Sequence, residues 1–280
     1  MHRKLLTLLA VCLLVACQRP SQTSSATAQE NEHNPEPSLV QAVYGKQVLA
    51  QGRSVLGAKV FANGQAALVI SEIPADSETQ PEMRDSALKA SISVYLLEKN
   101  EGQWRLAQRH ESIADVGSHG VAGELTWLTL GEGRPGFAIV DESGNRGQTV
   151  KSLALFDLGA ADMRALAGKP VLIHSDNNAD CEDERPQCWN VSGQWRLVHK
   201  PGQAFAALEI GFSGVLEQRP ESVRDTAETS AAGAGEQSAY EDDVAALAPR
   251  ERQQINATAR YALSEKGIRL VSGENVAERF

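Results

Sequence analysis

Short apolar runs, each closed by Gly, Asn, Asp or Pro, fill the chain from residue 39 to 216. Runs of this kind predict strands, in which successive side chains point to opposite faces. Lys59-Val60-Phe61-Ala62, then Asn63-Gly64, then 66–70 predicts a hairpin. There Asn-Gly would supply the positive φ angles of a two-residue turn. Residues 91–97 turn through Asn100-Glu101-Gly102 into 103–108, and 124–130 turn through a Gly-rich loop into 137–141. Strands over 150–156 and 170–174 follow. Asn190 and Trp195 flank an expected turn at Ser192-Gly193, and 204–216 reads as one strand bent at Gly211 or Gly214. Ile255, Ala257, Ala259, Tyr261 and Leu263 alternate as a strand leading into Gly267, although 255, 259, 262 and 263 also fit a helix face.

Gly102-Gln103-Trp104-Arg105-Leu106 recurs as Gly193-Gln194-Trp195-Arg196-Leu197, with Gly267-Ile268-Arg269-Leu270 as a looser copy. In a strand, Trp and Leu two apart share one face and the Arg between them takes the other. The spacing of the copies is uneven, which argues against a solenoid. Together these patterns predict one all-β domain over 39–216, a single antiparallel sandwich or partly closed barrel, with a propeller-like arrangement as the alternative. Residues 217–249 lose the pattern. Within them 226–236 hold only Ala, Gly, Ser, Thr and Glu, which reads as a disordered acidic insert. Residues 250–280 then return as a hairpin.

The amino-terminal stretch has a different texture. Met-His-Arg-Lys is followed by an apolar run over 5–15, then Ala16 and Cys17. A basic start, a short apolar core and a small residue before the cut mark residues 1–16 as a signal peptide. The core is too short to cross a bilayer, which takes about 20 apolar residues. Leu14-Val15-Ala16-Cys17 resembles the lipobox of bacterial lipoproteins. That resemblance implies a diacylglycerol thioether and an acylated amino terminus on Cys17, hence a membrane partner reached through lipid. The residue after Cys17 is Gln18, not Asp. The same resemblance therefore implies the outer membrane, facing the periplasm or the surface. Residues 17–38 read as the lipidated Cys and a flexible polar tether with a reach of roughly 25 Å.

Composition narrows the function classes. The chain carries 27 basic and 36 acidic residues, and loss of Arg3 and Lys4 with the leader takes its net charge from −9 to −11. Such a balance excludes nucleic acid as an expected partner, because phosphates need a basic surface. It also opposes broad electrostatic docking on anionic lipid. Of four cysteines, Cys12 leaves with the leader and Cys17 is the anchor. Cys181 and Cys188 remain, and in an oxidising compartment they are expected to form a disulfide. A zinc site on them would lack a second pair of ligands at suitable spacing.

Candidate chemistry is sparse. Gly131-Glu132-Gly133-Arg134-Pro135-Gly136 has the letters of a dinucleotide loop, but the residues after it read as a strand where that motif needs a helix. Asp176, Asn178, Asp180 and Glu182 alternate as the oxygen ligands of a calcium loop do. Cys181 stands where that loop needs Gly, and Gln187 where it needs Glu. Calcium is the one cofactor the sequence offers. The polar stretch 141–147, with Asp141, Glu142 and Asn145, and the stretch 176–189, with Trp189 as anchor, are the expected contact loops. The polar stretch 141–147, with His119, His174 and Asp176, would form a hydrolytic cluster if the fold joined them, but no nucleophile elbow or metal-binding His-Glu-x-x-His helix is present. His174, Ser175 and Asp176 place their side chains on alternating faces or along a loop, a poor relay. The expectation is an outer-membrane-anchored, non-enzymatic β scaffold that binds an envelope or extracellular protein. A calcium-stabilised domain and a periplasmic hydrolase of cell-wall or glycan substrates are the alternatives.

Overall fold

Antiparallel pairing of sequence neighbours builds each of the two sheets among the described residues. A computed structural model describes residues 36–45, 49–50, 52–73, 87–161, 163–181, 185–219 and 249–280, all within the unit Asn34–Phe280. The leader, Cys17, most of the tether, Glu182 and residues 220–248 of the expected insert lie outside the described residues. Strands β1 (Arg53–Val60), β2 (Gln65–Glu72), β3 (Ala90–Asn100) and β4 (Gln103–Val116) form a four-stranded sheet in chain order. Strands β5 (Glu124–Gly131), β6 (Arg134–Asn145), β7 (Gln148–Asp157) and β8 (Val171–Asp176) begin a second sheet. It continues through β9 (Gln187–Val198), β10 (Ala207–Gln218), β11 (Glu251–Ser264) and β12 (Gly267–Gly273).

The all-β expectation holds, and the strand reading of 255–263 is the right one. The two sheets stack as a sandwich. Ala67 and Val69 of β2, with Ile92 and Val94 of β3, pack on Phe137 and Ile139 of β6 and Ala154 and Phe156 of β7. Phe137 and Phe156 are fully buried, their rings stacked at 4.6 Å. The larger sheet also coils, because residues from every strand from β5 to β12 meet in one core. β5 and β12 do not pair, so the coil stays open. A propeller would need separate blades, and here eight strands form one continuous ladder.

Helix α1 (Glu36–Tyr44) covers the outer face of the small sheet, with Leu39 buried among Leu68, Ile70 and Leu97. The helix takes the last three residues of the expected tether. Pro37 fits its first turn, where an N–H would go unpaired, and Gly45 at φ 71° ends it. The β1–β2 turn also departs from expectation. Gly64 N donates to Phe61 O at 3.0 Å and Phe61 N to Gln65 O at 2.8 Å, so the turn has three residues, and Gly64 alone takes positive φ. The expected turn at Ser192-Gly193 is instead mid-strand in β9, and β10 runs straight through Gly211 and Gly214 in unbroken register. β10 reaches Gln218, and Arg219 beyond it is buried, so the body extends past the expected boundary at 216.

Candidate functional site

The eight-stranded sheet carries a row of polar side chains in register. Glu142 of β6 pairs with Lys151 of β7, Lys151 with His174 of β8, and His174 with Ser192 of β9. Register partners share a face, so these four stand side by side. A bulge makes this possible. Ser152 pairs with Leu172 and Lys151 with His174, leaving Ile173 as the extra residue. In regular pairing Ile173 would face Lys151 and His174 would point to the other side.

The row lines a cleft of about 430 Å³ with Thr149, Ile173, Asp176 and Gly193. Lys151 Nζ lies 2.7 Å from Glu142 Oε2, both partly exposed. His174 is held from two sides. Its Nε2 is 2.6 Å from Asp176 Oδ2 and its Nδ1 is 2.8 Å from Ser192 Oγ. The side chains of His174 and Asp176 are only 14% and 12% exposed, whereas Ser192 is open to solvent. The other carboxylate oxygen of Asp176 accepts from Asn178 N at 3.0 Å. With both oxygens engaged, Asp176 fixes the imidazole proton on Nε2, and Nδ1 is left to accept the Ser192 hydroxyl proton.

The loop behind Asp176 is tied down at several points. Cys181 and Cys188 form the expected disulfide. Asn177 Nδ2 donates to Gln187 O at 3.0 Å, and Trp189 N donates to Asn177 Oδ1 at 2.8 Å. The tip of the β6–β7 hairpin rests on this loop. Arg146 and Gly147 make a two-residue turn with φ of 50° and 78°, and a Cβ on Gly147 would stand 2.2 Å from Asp180 Cβ. The two stretches expected as contact loops therefore meet.

The expected site residues fare unevenly. Glu142 lines the cleft. Asp141, one residue away, belongs to the opposite face and is buried, accepting from Ser152 Oγ at 2.6 Å, so it is no surface contact. Residues 141–145 are strand, not loop, and Asn145 closes β6 opposite Gln148. Trp189 is half-buried. Its ring stacks on Phe280 at 5.2 Å and its Nε1 donates to buried Ser175 Oγ at 2.9 Å, so it serves the core and not an exposed anchor. The calcium set does not form an open oxygen shell. Asp176 is taken by His174 and Asn178, Asp180 pairs with Arg185, and Glu182 lies outside the described residues. Among the described residues no group of three or more His, Cys, Asp or Glu could hold a metal ion. Of the stretch 141–147 and His119, His174 and Asp176, expected as one hydrolytic cluster if the fold joined them, Glu142, His174 and Asp176 line the cleft, whereas Asp141 and His119 do not. Lys151 and Ser192 were missed, because only the bulge and the register join them to His174. His174 and Asp176, two apart, share a face, while Ser175 between them is buried on the other and accepts from Trp189 Nε1, so the three consecutive residues make no single relay.

No family model, curated protein or solved structure matches this chain.

Proposed function

We propose that this protein is a lipid-anchored scaffold of the bacterial envelope, held at the outer membrane through Cys17, that binds an envelope or extracellular protein beside the cleft. The support for the address is the signal pattern and Leu14-Val15-Ala16-Cys17. No helix among the described residues is long and apolar enough to cross a membrane. The observation that carries the binding reading is the seating of Gly147 against Asp180, which joins the hairpin tip and the disulfide-bonded loop into one rim above the polar row. A rim fixed to paired strands keeps its shape before a partner arrives and so loses little entropy on binding. Arg146 at the tip, Lys151 in the cleft and Arg185 in the loop are among its exposed or part-exposed cations, and Arg185 is paired with Asp180.

In-cell crosslinking of the lipidated protein, followed by purification and mass spectrometry, tests this. One reproducible protein partner is expected. It should be lost from the double variant Arg146→Glu, Lys151→Glu and kept by Arg105→Glu, which alters an exposed position on β4. A partner retained by the double variant, or none at several linker lengths, overturns the reading. Cys17→Ser should release the protein from the membrane fraction, and retention there would overturn the anchor.

A further inference from the structure

The Ser192–His174–Asp176 line has the parts of an activated nucleophile: a hydroxyl on a base, and a base oriented by an acid. We propose that Ser192 is a nucleophile and that the cleft hydrolyses small carboxylic esters. This rests on the cleft described above but not on any protein partner. Three observations carry it. The distances Ser192 Oγ–His174 Nδ1 and His174 Nε2–Asp176 Oδ2 are 2.8 and 2.6 Å, both within the reach that proton transfer requires. The acid and base are largely shielded while the hydroxyl is exposed to a substrate. The acid is itself held, by Asn178 N–H and by the disulfide-bonded loop.

The reaction balances without an outside oxidant or metal. Ser192 Oγ attacks the ester carbonyl carbon, and its proton passes to His174 Nδ1. Asp176 steadies the resulting imidazolium as a positioning residue. Lys151 lines the same cleft and neighbours His174 in register, and on leaving its 2.7 Å pair with Glu142 it is the cation that would turn to the negative oxygen. The bond to the leaving alcohol then breaks, and the alcohol takes the proton from His174. Water attacks the acyl-serine, gives its proton to His174, and releases the acid as that proton returns to Ser192 Oγ. Among the described residues Ile173 is the one large apolar residue at the cleft, and its side chain belongs to the core, so the cleft offers little apolar surface, the acyl group is short and the alcohol polar.

The test uses the mature chain and a fluorophosphonate probe, with peptide mapping of the labelled protein. Attack by Ser192 expels fluoride and leaves a stable adduct. Ser213 is an internal reference, because it pairs with Ser192 across β9 and β10 and is also exposed. Labelling of Ser192 should exceed that of Ser213 by about 100-fold or more, the low end of general-base assistance. It should be lost in His174→Gln. Asp176→Asn should slow labelling and alter its pH profile, while Lys151→Met should leave the adduct in place and slow turnover of p-nitrophenyl acetate. Equal labelling of the two serines, or none at Ser192 in a chain with an unchanged melting curve, overturns the proposal. Either result leaves the partner-binding reading standing, which only the crosslinking comparison can remove.

Discussion

Tyr95 shows how one side chain can tie stability to pH. It is buried and shares a hydroxyl–hydroxyl hydrogen bond with Tyr44 at 2.9 Å, and burial above all pushes its pKa up from the ordinary value. The folded state therefore holds the phenol proton more tightly than the unfolded one. The resulting stability is whole below about pH 10 and is lost as pH rises from there. The melting temperature should stay flat to about pH 9 and fall above about pH 10, and Tyr95→Phe should remove part of that fall. An equal fall in the variant would show that another group, such as the buried Tyr261, sets it. Gly147 is a second residue-scale case. Its positive φ and its contact with Asp180 both oppose a side chain. Gly147→Ala should cost about 1–3 kcal/mol in urea unfolding, and an unchanged midpoint would mean that the rim is not rigid.

At the scale of elements, two glycines in the same ladder should behave oppositely. A Cβ on Gly193 of β9 would meet the Phe212 ring at 2.7 Å, whereas one on Gly211 of β10 would meet nothing within 4 Å. Gly193→Val should destabilise by about 1–3 kcal/mol through overpacking. Gly211→Thr, exposed and in regular pairing, should be neutral or stabilise by up to about 1 kcal/mol. Chemical unfolding of the two variants checks both. This contrast also explains what could be read beforehand. Strand identity and most hairpins were legible, because alternation and turn residues are local signals. The turn expected at Ser192-Gly193 was an error of the same kind. A glycine cleared for a neighbouring strand's aromatic ring looks, in sequence, like a glycine in a turn. The row from Glu142 to Ser192 was illegible for a related reason. Its members come from four strands, and their shared face depends on the one extra residue at Ile173.

The whole molecule is joined through one apolar interface. Small residues of the four-stranded sheet, Ala67 and Val69 among them, meet the large rings of Phe137 and Phe156. Those same strands of the larger sheet line the coiled core on their other face, through Ala138, Leu153 and Leu155. The two sheets should therefore unfold in one transition. Phe137→Ala should lower the stability of both together by about 3–5 kcal/mol. A calorimetric scan of the variant that split into two peaks would show that the sheets are independent.

The meander order has a kinetic side. Tight turns join the hairpins β1–β2, β3–β4, β5–β6, β6–β7 and β11–β12, so each of these pairs can form as soon as its residues are made. β10 and β11 pair along their full length only after the connection over 219–250 has closed. Closing a loop some eight times longer than a tight turn costs about 2 kcal/mol more in chain entropy. The hairpin β11–β12 should therefore dock late, as the last piece of the coil. Until it arrives, β10 is a bare edge with Leu208, Ile210 and Phe212 uncovered, the kind of surface on which another chain can pair. A protein of this design is most exposed to aggregation between the folding of β10 and the arrival of β11.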